Sequence, residues 1–117
     1  MSQANDIRST FFQECDDLLE ALEDGLGQID AGLASGAVED DTVNAVFRAV
    51  HSIKGGAAAF GLDQLVTFAH GFENVLDAMR ARTLPPDAAV IRLCFRAADH
   101  LADLVRAGRD NVNLEPS

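Results

Sequence analysis

The sequence is poor in basic residues and has neither tryptophan nor tyrosine. Nine lysines and arginines stand against 19 aspartates and glutamates, so the formal net charge is −10. Nucleic acids and anionic membranes are bound through basic patches, and this charge balance argues against both as partners. We therefore expect that the chain binds other proteins.

Long apolar runs are also absent. No segment approaches the roughly 20 apolar residues that a membrane-spanning helix needs. The first residues, Met1 to Asp6, lack the basic and apolar regions of a signal peptide. We expect no membrane insertion and a cytoplasmic location.

With only two cysteines, the chain has too few for a disulfide framework. Cys15 and Cys94 both fall on apolar stripes, where a free cysteine behaves as a small buried hydrophobic residue. In an antiparallel bundle their heights would differ by about 16 Å, which is too far for a bridge. Two reduced core cysteines are predicted.

Four segments carry apolar residues at steps of three and four, the spacing of a helix face that packs into a core. They run from about Asp6 to Leu33, from Glu39–Thr42 to Phe60, from Leu62 to Arg82, and from Pro86 to Ala107 with Gly108 just past the end. The first two stripes are Ile7, Phe11, Cys15, Leu18, Leu22, Leu26, Ile29 and Leu33, then Val43, Val46, Phe47, Val50, Ile53 and Ala57. The length of 117 residues allows one such domain, and the pattern predicts an all-α, up-down-up-down four-helix bundle.

The stretch V-H-S-I-K-G-G-A-A-A-F-G, at positions 50–61, is unusual for a helix interior. It contains the only lysine of the chain, three residues after a histidine, and two consecutive glycines that cost roughly 1 kcal/mol each relative to alanine. His51, Lys54 and Ala58 form a line beside the apolar stripe, so we expect partial exposure. We interpret His51 as a nucleophile, Lys54 as a counter-charge for an anion, and Gly55, Gly56 and Ala58 as an approach surface for a partner.

Counting from the predicted turn at Gly61 places more side chains next to His51. A short turn makes the second and third helices antiparallel neighbours. His51 lies ten residues before Gly61, and His70 and Glu73 lie nine and twelve residues after it. The three side chains should therefore lie at about the same height along the bundle axis, on facing helices.

The carboxylate of Glu73, at the same height as His51, could activate this histidine as a nucleophile. If the Glu73 carboxylate accepts a hydrogen bond from the N–H at Nδ1 of His51, it fixes the tautomer of the ring. Nε2 then becomes more nucleophilic, as it does when an aspartate lies behind a catalytic histidine. Lys54, one helical turn away, could stabilise a bound anion. We expect His70 to join the same hydrogen-bonded network.

H-S-I-K-G-G-A at His51, F-G at Phe60 and H-x-x-E at His70 resemble the histidine phosphotransfer (HPt, P1) domain of CheA-type chemotaxis histidine kinases. The resemblance extends from T-F-F-Q-E at Thr10 through the last helix. It implies an HPt-type bundle whose histidine, here His51, receives a phosphoryl group from ATP through a separate kinase catalytic domain. The group then passes to an aspartate of a response regulator receiver domain, CheY-like or CheB-like.

The resemblance also implies that this chain binds no cofactor itself, since the kinase domain uses ATP and Mg²⁺ and the response regulator uses Mg²⁺. G-x-x-x-x-G-K-[ST] is absent, so the chain is not expected to bind ATP by itself. We expect a monomeric fragment of a histidine protein kinase, with the catalytic domain in cis or in trans. Residues 1–108 would be the domain and 109–117 a tail, the start of a linker or a truncated fifth helix.

Other interpretations stay open at this point. A histidine on a helix flank is usually structural, and the chain could be a helical adaptor. His51, His70 and Glu73 could ligate zinc or iron, although Lys54 and the lack of a fourth ligand argue against a metal site. Stoichiometric zinc binding abolished by His70→Ala would favour that alternative.

Overall fold

A computed structural model describes residues 3–110, which form four helices and contain no strand. The helices are α1 (Gln3–Ser35), α2 (Asp40–Ala59), α3 (Asp63–Arg80) and α4 (Ala88–Asp110). Each helix packs against the next one, and α4 packs back against α1. Short connections make successive helices antiparallel, which confirms the predicted up-down-up-down bundle. Within residues 3–110, no helix has both the length and the apolar content needed to cross a membrane.

Glycines end the first two helices, as the sequence predicts. Gly36 and Gly61 have φ angles of 70° and 65°, a conformation that costs a residue with a Cβ atom more than it costs glycine. After α2, the N–H of Leu62 donates to the carbonyl of Ala57 at 3.1 Å, and the N–H of Gly61 donates to that of Ala58 at 3.2 Å. These paired bonds form a Schellman motif. The motif reverses the chain in three residues and sets α3 beside α2.

The predicted end of α4 is wrong. Gly108 lies inside the helix, which continues to Asp110. An added Cβ at Gly108 would make only an ordinary contact with Leu62, at 3.4 Å, and the carbonyl of Gly108 accepts a hydrogen bond from Arg8. The proposed boundary after residue 108 therefore falls within α4. The rest of the predicted tail or fifth helix, residues 111–117, lies outside the described residues.

The start of α4 follows Pro85 and Pro86, as predicted. The carboxylate of Asp87 accepts a hydrogen bond from the N–H of Val90 at 2.8 Å and so caps the first turn. At the start of α2, Glu39 occupies the N-cap position without a side-chain cap bond, while Asp40 and Asp41 lie in the first turn. The predicted acidic start of α2 acts there through charge near the helix N-terminus rather than through capping.

The predicted stripes form the core, with one clear exception. The fully buried large side chains come from all four helices: Leu22, Leu26, Ile29, Val46, Val50, Ile53, Leu76, Ile91 and Leu101. Ile7, which the stripe places inward, is 55% exposed. An apolar stripe predicts the face of α1 on which a residue lies, but not whether another helix covers that residue.

Both cysteines are free and buried, as predicted. Burial raises the pKa of the Cys15 thiol to about 12 and that of the Cys94 thiol to about 11. The thiolate is the reactive form of cysteine. Neither cysteine is therefore a candidate nucleophile in the folded chain.

Candidate functional site

The carboxylate of Glu73 on α3 contacts two side chains of α2, those of His51 and Lys54. Nδ1 of His51 lies 2.9 Å from Oε2 of Glu73. Nζ of Lys54 donates to Oε1 at 3.0 Å and lies 2.9 Å from Oε2. The structure thus brings together three of the four residues predicted for the site, and His51 and Glu73 face each other across the helix pair as the counting predicts.

The charge state of Glu73 fixes the roles in this contact. Partial burial raises the pKa of the Glu73 carboxyl, but hydrogen bonds from Lys54 and His51 outweigh that effect, so the pKa is lowered from its ordinary value. An ionised carboxylate can only accept hydrogen bonds. Nδ1 of His51 must therefore carry the proton and donate it, which leaves Nε2 with a lone pair in the neutral ring.

Exposure separates the supporting end of the site from its reactive end. The side chain of Glu73 is 13% exposed and that of Lys54 is 23% exposed, whereas that of His51 is 60% exposed. Nε2 of His51 makes no hydrogen bond with any of residues 3–110. The ring is held on its protein side through Nδ1 and presents an available nucleophile to another molecule.

His70 does not join this network in the structure. It is exposed on α3, one turn before Glu73, and it makes no hydrogen bond or ion pair within the described part of the chain. The predicted shared network is therefore wrong for His70. Level placement along a helix gives the height of a residue, but the side chain must also point towards the facing helix, and Glu73 occupies that position.

The two glycines after Lys54 have different surroundings. Gly55 is exposed, and a Cβ there would meet nothing within 4 Å; Ala58, one turn further, is also exposed. A Cβ on Gly56 would collide with the ring of Phe11 on α1. Gly55 and Ala58 thus lie on the open surface beside His51, whereas Gly56 is needed for close packing of α1 on α2, and its prediction as part of the approach surface is corrected.

Sequence reasoning missed the role of Phe47, which it placed in the core stripe. Phe47 is half-buried, and its ring lies nearly parallel to that of His51, with centroids 6.0 Å apart and an interplanar angle of 9°. Arg80 of α3 packs over the Phe47 ring, with Cζ 3.9 Å from the centroid. The spacing of four residues between Phe47 and His51 was a signal for the first contact, but nothing in the local pattern indicated Arg80.

The metal-site alternative requires His51, His70 and Glu73 to converge. Among residues 3–110, no three histidine, cysteine, aspartate or glutamate side chains form a group that could hold a metal ion. Lys54 occupies the carboxylate that such a site would use.

The family model described as Hpt domain matches residues 6–110. Two curated chemotaxis proteins named CheA are similar to almost the whole chain. The protein of Cereibacter sphaeroides is 58% identical over 96% of this chain, and that of Rhizobium meliloti (strain 1021) is 54% identical over 95%. This chain spans only 17% and 14% of the lengths of those two proteins.

Solved structures agree with the fold. The CheA phosphotransferase domain from Thermotoga maritima has a TM-score of 0.77 at 24% identity, with 91% of this chain and 96% of that chain covered. The phosphorylated P1 domain of CheA3 from R. sphaeroides, solved in complex with CheY6, has a TM-score of 0.77 at 27% identity, with 94% and 84% covered. The four-helix arrangement described above is therefore shared with both of these domains.

Proposed function

Because the chain belongs to the Hpt domain family, we propose that it is a phosphoryl relay of two-component chemotaxis signalling. His51 accepts a phosphoryl group that originates from ATP and passes it to an aspartate of a response regulator. One observation carries this proposal: Nδ1 of the exposed His51 side chain is bonded to an ionised carboxylate, while Nε2 has no hydrogen-bond partner among residues 3–110. The solved complex of the similar, phosphorylated P1 domain of CheA3 with CheY6 supports a response regulator as the partner.

In the first step, the lone pair of Nε2 attacks the γ-phosphorus of ATP. An N–P bond forms, the bond from the γ-phosphorus to the bridging oxygen breaks, and ADP leaves. The attack makes the imidazole ring positive, and Glu73 stabilises that charge through the hydrogen bond to Nδ1, as in other carboxylate–histidine pairs. The 2.9 Å contact already exists before the reaction, so no rearrangement of this pair is needed.

In the second step, a carboxylate oxygen of the regulator aspartate attacks the same phosphorus. The N–P bond breaks, its electron pair returns to Nε2, and Nδ1 keeps its proton against Glu73. Lys54 stabilises the negative phosphoryl group through its positive charge. Its ammonium has three donors, and within residues 3–110 its polar contacts are with Glu73 alone.

The surface around His51 suits the approach of another protein domain. Gly55 and Ala58 present almost no side chain next to the histidine. A receiver domain, CheY-like or CheB-like, could bring its aspartate and Mg²⁺ close to Nε2 there. The proposed phosphoryl donor is a histidine kinase catalytic domain, in cis or in trans, that supplies ATP and Mg²⁺. We further propose that this chain is part of a histidine protein kinase, acts in the cytoplasm as a monomer and binds no cofactor itself.

Intact-mass analysis tests the acceptor. The chain is incubated with a chemotaxis-type kinase catalytic domain, ATP and Mg²⁺, and compared with His51→Gln. A single acid-labile phosphoryl group on the wild type alone supports the proposal. If neither protein gains one with several such kinases, the relay is refuted and a helical adaptor becomes the leading interpretation.

Transfer is measured separately, by adding a receiver domain to the purified phosphorylated chain. Loss of the phosphoryl group from the chain with its appearance on the receiver supports a relay. A phosphorylated chain that no receiver dephosphorylates would refute the second half of the proposal and keep only the first.

A further inference from the structure

The imidazole of His51 has a second contact besides Glu73. The parallel ring of Phe47, one turn earlier on α2, lies within the range of centroid distances at which aromatic pairs attract each other. The bond to Glu73 fixes where Nδ1 points, and the parallel ring opposes tilting of the imidazole plane. Together the two contacts determine the direction of Nε2.

Phe47 is itself held by α3. The guanidinium of Arg80 packs over its ring at 3.9 Å, and the same guanidinium donates to Oδ1 of Asp77 at 2.7 Å. The ion pair with Asp77 orients Arg80, and the cation–π contact with Arg80 favours one position of the Phe47 ring. The stack therefore links the imidazole to α3 by a route that does not pass through Glu73.

Resting on the proposed relay function, we propose that Phe47 is a positioning residue for His51, supported by Arg80. The Phe47 ring keeps the imidazole in the plane in which Nδ1 meets Glu73 and Nε2 faces the partner. Arg80 acts on His51 through the ring of Phe47, over which its guanidinium packs, and the ion pair with Asp77 holds the guanidinium in place.

A purely structural role for Phe47 makes a different prediction. Phe47 also packs against the core, so its replacement could lower stability without affecting His51. The tautomer of the His51 ring distinguishes the two roles, because core packing elsewhere has no reason to change which ring nitrogen holds the proton. Loosening of the ring should weaken the bond to Glu73 and lower the share of the Nδ1–H tautomer.

The chain contains a matched control for this experiment. Phe68 on α3 is also half-buried and also contacts a histidine, with its ring 4.6 Å from that of His100 on α4. Phe68→Leu removes the same kind of ring from a Phe–His pair away from Glu73. Phe47→Tyr keeps an aromatic ring at the site, and Arg80→Gln removes the cation–π contact from an exposed position.

The first readout is ¹⁵N NMR of the histidine rings at neutral pH, which needs no kinase. Wild type, Phe47→Tyr and Phe68→Leu should keep mainly the Nδ1–H tautomer at His51, whereas Phe47→Leu should lose much of it and Arg80→Gln a smaller part. If Phe47→Leu and Arg80→Gln both keep the wild-type share of the Nδ1–H tautomer at His51, the positioning role of Phe47 is overturned. Should Phe47→Leu fail to fold, Arg80→Gln alone decides the outcome.

The second readout is the initial rate of phosphorylation by the kinase domain at a temperature where every variant is folded. If the full interaction of an aromatic pair helps to orient His51 for reaction, its loss in Phe47→Leu should slow phosphorylation by about 2- to 10-fold. Phe47→Tyr, which keeps the ring, should restore the rate. A Phe47→Leu rate equal to those of the wild type and Phe68→Leu would overturn the inference. A wild type that is never phosphorylated would instead refute the relay, and the tautomer comparison would still test the stack.

Discussion

Replacement of Glu73 by alanine should slow the phosphorylation of His51 and leave the fold intact. The change removes the acceptor that lies 2.9 Å from Nδ1. Lys54 loses its ion-pair partner, but its side chain is 23% exposed and can be solvated by water instead. The bundle should therefore keep its helix content, and the effect should appear in the reaction.

The size of the effect follows from the kind of hydrogen bond that is lost. A hydrogen bond to a charged group contributes about 1.5–3 kcal/mol, which would correspond to roughly 10- to 150-fold in rate. Only the part of the bond that strengthens as the ring becomes positive lowers the barrier. We therefore expect the lower end, a decrease of about 10- to 30-fold.

Glu73→Gln refines the test, because it keeps an acceptor oxygen but removes the charge. Neutral hydrogen bonds have roughly half the strength of charge-assisted ones, so its rate should fall by about 3- to 5-fold. The rate should decrease from wild type to Glu73→Gln and again from Glu73→Gln to Glu73→Ala. A glutamine variant as fast as the wild type would show that the charge does not matter, and an alanine variant as fast as the glutamine variant would show that a neutral acceptor adds nothing.

The assay is the initial rate of phosphoryl incorporation, followed by intact mass with limiting kinase domain, with circular dichroism to verify the fold. Asp103→Ala is the matched control. It removes an exposed carboxylate whose partner, Arg106, lies 2.6 Å away on α4, a helix that does not pack against α2. A Glu73→Ala rate within about twofold of this control would refute the carboxylate mechanism.

Four further predictions concern pH, the two glycines and the thiols. The pKa of Glu73 is lowered from an ordinary 4.5, so the ionised carboxylate stabilises the fold above that pH, and this contribution disappears as the pH falls through the lowered value. The difference in Tm between wild type and Glu73→Gln should therefore be largest near neutral pH and absent at strongly acid pH. Gly55→Leu should raise the free energy of unfolding by up to about 1 kcal/mol yet slow transfer to the receiver, and undiminished transfer would contradict the approach surface. Gly56→Leu should lower the free energy of unfolding by about 1–3 kcal/mol because it collides with a phenyl ring of α1, and an unchanged urea midpoint would contradict that packing. Cys15 and Cys94 should react with a thiol reagent only after denaturant is added, given pKa values of about 12 and 11 in buried positions; fast labelling of the folded chain would show that these helices open readily.

Much of the site was accessible from the sequence because one short turn sets its geometry. Gly61 reverses the chain within a few residues, so counting outward gave the heights of His51 and Glu73 on facing helices. Counting could not give the direction of each side chain. His70 has a suitable height but lies outside the network, and Lys54, expected to face an incoming anion, contacts the same carboxylate as His51.

The sequence by itself determined the four helices and their antiparallel order. Helical periodicity, turn glycines and short connections are local properties, so neighbouring residues are sufficient to specify them. Tertiary structure alone decided that Gly56 accommodates Phe11, that Arg80 covers Phe47 and that Ile7 stays exposed. These contacts depend on how each helix is rotated about its axis and how far it extends past its neighbours, and such quantities are set by the packing of the whole core rather than by spacing along one helix.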